Sequence, residues 1–195
     1  MTSFRISNKE LVIEKEQTEL DTFVLDLVKV IKKYCKYTII SGFVSIFFGR
    51  ARATEDVDAF ISDVSYETFR RLYAELKAAG YDFTIDNQQE LYNNYLKDGI
   101  PVNIWKKDLP LIRLEIKLAL KKTQKLVMQD SFTARFNGNE LVFGSIESQI
   151  AYKRYIAKSQ KDLEDARHLE IVFEGLDKEK INFYKTEFLQ EFNNG

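Results

Sequence analysis

Cysteine occurs once, at Cys35, and histidine once, at His168, in a chain of 195 residues. A single cysteine excludes an intramolecular disulfide, and with one histidine there is no ligand set for a structural zinc site. Cys35 is therefore expected as a buried thiol. Proline occurs twice and glycine eight times, with no repeat and no low-complexity linker dividing the chain. Neither sign of charge dominates, because 29 Lys and Arg face 30 Asp and Glu. Any anion-binding site must then be local, and long duplex DNA is disfavoured as a partner. No apolar run reaches membrane-spanning length and the first residues are polar and charged. That pattern predicts no membrane contact, no signal peptide and a cytoplasmic location.

What is present is core. Apolar residues make up 45% and aromatics 13% of the chain, which is enough for one domain or two small lobes with a substantial interior. Leu20, Phe23, Val24, Leu27, Val28 and Ile31 recur at helical spacing after the candidate cap Thr18. Residues 37–41 read as a strand, 43–49 as a short helix and 56–61 as a second strand. Phe69, Leu72, Tyr73 and Leu76 mark another helix that Gly80 can end. Residues 90–97 fit a short helix, 102–106 and 112–118 two strands joined around Pro110, and 140–143 a further strand. From Ile146 onward the pattern is helical, with an amphipathic tail over 177–192.

The informative stretch is 42–58, Gly-Phe-Val-Ser-Ile-Phe-Phe-Gly-Arg-Ala-Arg-Ala-Thr-Glu-Asp-Val-Asp. Alternation along a strand puts Asp56 and Asp58 on one face with Val57 opposed. Two carboxylates on one face can hold hard cations, which prefer oxygen ligands. Upstream, Gly42 lacks a Cβ and so tolerates unusual backbone angles or close approach of an anion, where a strand turns into a helix.

Gly42 and Ser45, followed by Gly49, Arg50, Arg52 and Thr54 ahead of Asp56 and Asp58, resemble the signature of the nucleotidyltransferase superfamily. The resemblance is closest to minimal nucleotidyltransferases related to AbiEii-type abortive-infection toxins, with kanamycin nucleotidyltransferase and poly(A) polymerases as distant relatives. Residues 145–169, with Lys153 and the Lys161-Asp162-x-x-Asp165 run, look like the family's helical half. The resemblance implies an α+β fold: a mixed sheet flanked by helices over 1–144, followed by a C-terminal helical region over 145–195, with Gly144 as the boundary. It implies Mg²⁺ or Mn²⁺ held by Asp56 and Asp58, and triphosphate held by Gly42, Ser45, Arg50, Arg52, Thr54 and Lys153. The donor would be a nucleoside triphosphate. The acceptor would be a hydroxyl on RNA (tRNA), protein or a small molecule, and an antitoxin would be a possible partner. A fold that binds nucleotide or RNA without transfer, or an inactive interaction protein, is the alternative.

The superfamily usually adds a third carboxylate from a later strand. Glu115, in Ile-Arg-Leu-Glu-Ile-Lys-Leu, is favoured as catalytic residue and metal ligand. Asn103, in Pro-Val-Asn-Ile-Trp, is the competing position, and an amide there binds metal weakly and takes no proton. Each residue also has a plainer role. Glu115 could pair with Arg113 and Lys117 on its own face, Thr54 could close a turn, and Lys153 could be a solvated helix lysine. Asp162 and Asp165 fit helix stabilisation, with Lys161 four residues before Asp165. His168 reads as structural. Tyr92, Tyr95 and Trp105 could stack a base, although most aromatics here belong in the core.

Overall fold

The computed structural model describes residues 3–193. Eight strands form one mixed sheet in the order β1-β7-β8-β2-β3-β6-β5-β4. The strands are β1 (Glu10–Val12), β2 (Tyr37–Ile40), β3 (Asp56–Ile61), β4 (Tyr81–Phe83), β5 (Val102–Lys106), β6 (Leu109–Leu118), β7 (Phe132–Phe136) and β8 (Asn139–Phe143). At its centre, β3 runs antiparallel to β2 and parallel to β6, with Asp58 opposite Ile40 on one side and Glu115 on the other. On β3 the side chains of Val57, Ala59 and Ile61 are buried, while Asp56, Asp58 and Phe60 are not fully covered. The period-2 alternation expected of this strand is therefore present.

Helices α1 (Glu19–Ile31) and α3 (Tyr66–Ala78) follow the apolar spacings of the sequence. Thr18 caps α1 in a reciprocal box with Asp21, satisfying two backbone donors at once. The short α2 (Gly42–Phe47) carries the motif out of β2. Helix α4 (Gln88–Glu90) continues as a π-helical segment, Leu91–Leu96. The C-terminal part comprises α6 (Ile146–Tyr152), continuing as a π-helical segment over Lys153–Ala157, then α7 (Gln160–Val172) and α8 (Lys178–Asn193). Ile146, Ile150, Ala166 and Leu169 join the same hydrophobic cluster as Val24, Ile39 and Val57. The chain on both sides of Gly144 thus shares one core.

Three features depart from the periodicity reading. Pro110 lies inside β6 instead of between two strands, because the chain reverses at Lys107 and Asp108 and Lys106 pairs with Leu109. The register shifts beside Trp105 and Lys106, and a bulge needs no ladder donor from proline. Strands β1 and β4 are three residues each, too short for alternation to show. Helix α5 (Lys122–Gln129) sits in a lysine- and glutamine-rich stretch, and β7, though Phe132, Ala134 and Phe136 alternate inward, is only five residues long.

Phe48, just beyond α2, packs its ring against those of Phe4, Phe47, Phe132, Phe143 and Phe173. It thereby fixes the end of the motif helix to β7, β8 and the exit of α7. Phe48→Ala is expected to cost about 3–5 kcal/mol of unfolding free energy, measured as a lower urea midpoint with an unchanged slope.

Candidate active site

On the sheet face opposite Val57, a row of side chains crosses four strands. Ile40 stands opposite Asp58, Asp58 beside Glu115, and Glu115 opposite Asn103. A parallel row holds Asp56, Arg113 and Trp105. The two candidates for a third carboxylate are thus neighbours in one row, and Glu115 is the one on the strand next to Asp58. Pairing across parallel strands brings together residues 57 positions apart, which hydrophobic spacing cannot show.

Asp58 is the perturbed group. Burial first, and then the negative charge of Glu115, push its carboxyl up to about 6, while Lys117 and a hydrogen bond from the Ser41 hydroxyl oppose the shift. Glu115 accepts an ion pair from Lys117 at 2.8 Å, so its plainer pairing role is partly realised. Asp56 is more exposed and is paired with Arg113. Among the described residues, no three carboxylate, imidazole or thiolate side chains converge on one point as a metal cluster. The oxygen-only donors nevertheless have the chemistry a hard cation requires. Two adjacent carboxylates, one reluctant to ionise, are also what a cation would relieve.

The motif residues divide into two groups. Ser41, which sequence reasoning passed over, sits at the joint of β2 and α2 with φ 65° and ψ −137°. A non-glycine residue there is strained. Its backbone N–H donates to Gln149 Oε1 of α6 at 2.8 Å. Its place between a strand and Gly42 was the available signal. Thr54 hydrogen-bonds the Asp56 carbonyl at 2.9 Å and shapes the turn into β3. Ser45 is fully buried, does not line the cleft beside Asp58, and among the described residues its Oγ has no hydrogen-bond partner.

Arg50, Arg52 and Lys153 converge on Asp165, whose side chain is wholly buried. Arg52 grips both carboxylate oxygens at 3.1 Å, and Lys153 Nζ lies 2.8 Å from one of them. Arg50 also pairs with Glu164 at 2.6 Å, and Lys153 with Asp162 at 3.3 Å. Lys153 is 2% exposed, and burial lowers its pKa despite the attraction of Asp162. All three cations expected at triphosphate are therefore engaged by α7. The helix-stabilising role assigned to Asp165 is corrected: it faces the interior and the motif loop, not Lys161. A Cβ on Gly42 would collide with the Arg52 guanidinium, so the group that approaches this glycine closely is Arg52, and a side chain there would have to push it from Asp165. His168 hydrogen-bonds the Phe48 carbonyl at 3.1 Å, and Tyr92 is buried against Tyr66 and Phe69. Trp105 shares the face of Asp56.

A cleft of about 300 Å³ opens beside Asp58. Its floor is Ile40, Ser41, Asp58, Phe60 and Lys117, and α5, α6 and α8 wall it.

Removing the Asp165 charge leaves three cations facing each other with one carboxylate fewer. Asp165→Asn is expected to cost about 3–5 kcal/mol of stability, read by urea unfolding. Asp58 behaves in the opposite sense. Its folded pKa lies above the unfolded value, so ionisation works against the fold as pH rises from about 4 to about 6 and in full above that. In the presence of a chelator, Asp58→Asn is expected to raise stability at pH 7 by on the order of 1–2 kcal/mol. The gain should vanish below about pH 4, as thermal melting across pH would show.

No protein-family model and no curated protein matches the sequence. Solved structures do match in fold. One is an antigenic nucleotidyltransferase-like protein from Paracoccidioides brasiliensis, with a TM-score of 0.55 and 15% identity over 90% of this chain and 88% of that one. A second is the antibiotic-resistance factor ANT(2'')-Ia, at 0.54 and 16%, covering 89% and 95%. A third is the lincosamide antibiotic adenylyltransferase LnuA with lincomycin bound, at 0.51 and 15%, covering 81% and 99%. At these identities the likeness is one of architecture: the chain has an α+β, nucleotidyltransferase-like fold.

Proposed function

We propose that this protein is a Mg²⁺- or Mn²⁺-dependent nucleotidyltransferase that moves a nucleoside monophosphate from a nucleoside triphosphate to an acceptor hydroxyl. The observation that carries this reading is the Asp58–Glu115 pair, in register on adjacent parallel strands with Asp56 two residues along, and with Asp58 at the floor of a cleft. Asp56, Asp58 and Glu115 would hold the divalent cations, which when bound neutralise phosphate charge and polarise the reacting phosphoryl group. The acceptor oxygen bonds to the α-phosphorus as the bridging bond to the β-phosphate breaks. The electron pair leaves on pyrophosphate, and the hydroxyl proton passes to Glu115. Phosphoryl transfer needs little beyond positioning and charge neutralisation, so no covalent enzyme intermediate is required.

The Ser41–Gly42 turn is the backbone element nearest to Asp58 for cradling phosphate. Thr54 sets the entry into β3. Arg50, Arg52 and Lys153 shape the motif loop through Asp165, and Ser45 packs behind it. On the AbiEii-type resemblance the protein would act in the cytoplasm as the toxin half of a pair, with an antitoxin partner and tRNA or protein as acceptor. The fold neighbour described as a lincosamide antibiotic adenylyltransferase points instead to a small-molecule acceptor. Pairing of Asp56 with Arg113, and an amide at Asn103 in the Glu115 row, favour a second reading as a nucleotide-binding module without transfer.

Incubation with each α-³²P nucleoside triphosphate, Mg²⁺ or Mn²⁺, and total RNA, lysate or small hydroxylated compounds tests the proposal. Metal-dependent labelling should fall by on the order of a hundredfold or more in Asp58→Ala and Asp56→Ala. Nucleotide binding by calorimetry without labelling under any condition would establish the second reading instead.

A further inference from the structure

The cleft beside Asp58 has a composition that the transfer chemistry does not use. Beyond the carboxylate, its lining is largely apolar and aromatic: Ile40 and Phe60 from the sheet, Val127 from α5, Tyr152 from α6 and Phe188 from α8. Tyr152 and Phe188 meet edge to face with ring centroids 5.5 Å apart, so the wall is a packed aromatic surface. A volume of about 300 Å³ lies at the small end of ligand pockets. It suits a single fused-ring body and not an RNA stem or a protein domain.

The charges around this surface are unequal in availability. Glu191, at the rim, accepts hydrogen bonds from the Thr123 backbone N–H at 3.1 Å and its hydroxyl at 2.7 Å, closing the start of α5. Lys117 is paired with Glu115. Lys121 is exposed, lines the cleft, and makes no ion pair among the described residues. A polycationic acceptor would find Glu191 engaged by Thr123, and Asp58 committed to the divalent cations of the proposed function. An anionic group would find a free ammonium.

Resting on the nucleotidyl-transfer reading, we infer that this cleft is the acceptor subsite and takes a small, flat, apolar molecule carrying one hydroxyl and one anionic group, the anion at Lys121 and the hydroxyl toward Asp58. Apolar stacking supplies the affinity, and Lys121 sets the orientation. The acceptor oxygen is then presented beside the Asp58–Glu115 pair, where the transfer step needs it.

The fluorescent hydroxy acid 6-hydroxy-2-naphthoate serves as probe, titrated without nucleotide into the full chain. Saturable one-to-one binding is expected. Lys121→Glu should weaken it about tenfold or more, while Lys125→Glu, an exposed α5 lysine outside the lining, should leave it unchanged. Both variants lie on the surface, and matched melting temperatures would verify their folding. Absence of saturable binding, or equal weakening by both variants, overturns the inference. So does labelling of tRNA or lysate protein that saturating naphthoate does not inhibit, and in that case nucleotidyl transfer itself stands. Binding with the Lys121 dependence but no labelling of any acceptor would keep the subsite and remove the transfer reading.

Discussion

The structure depends most heavily on a carboxylate that never meets water. Asp165 is enclosed beneath the motif loop and receives Arg50, Arg52 and Lys153, with Asp162 and Glu164 completing a set of three carboxylates to three cations. Burying such charges carries a desolvation penalty that their mutual attraction must offset. What the arrangement provides is geometry. A flexible loop of small and basic residues becomes a fixed lead into β3, with the Arg52 guanidinium seated directly over Gly42, where a Cβ would have to displace it. The loop that delivers Asp56 and Asp58 is therefore held in place by a helix more than a hundred residues later in the chain.

That coupling explains why the C-terminal helices and the sheet share a core. Phe48 and Phe173 meet at 4.9 Å between ring centroids, and His168 reaches the Phe48 carbonyl beside them. The apolar and the ionic contacts clamp the same two segments. With α6 and α7 anchored in this way, α6 presents Gln149 to the Ser41 backbone and Tyr152 to the cleft. The floor and the wall of the candidate site are thus set by one assembly.

Within that frame, Asp58 is an intrinsic cost to the fold. A partly buried carboxyl beside Glu115, next to a strained Ser41, is disfavoured as an anion. Concentrated strain and perturbed ionisation of this kind are characteristic of sites where stability gives way to chemistry. The surrounding sheet, with Val57, Ala59, Leu114 and Ile116 fully packed on the opposite face, is rigid enough to hold it.

Much of this was legible from the chain. The capped α1, the alternation of β3, the helix ended by Gly80 and the β5–β6 hairpin all follow from local periodicity, because their information lies within a few residues. The Asp56 and Asp58 pair could be found for the same reason. Sequence could not show that β6 pairs in parallel with β3, and so could not rank Glu115 against Asn103 by position. It assigned Arg50, Arg52 and Lys153 to phosphate and Asp165 to helix stabilisation, since a charge's partner depends on what folds against it. It also passed over Ser41, whose importance lies in a backbone angle. The sequence by itself determined the α+β elements and which residue types could do phosphoryl chemistry, because propensity and periodicity are local. Only the tertiary structure decided which of those charges face the cleft and which are buried against each other, because burial and pairing arise from contacts between distant segments.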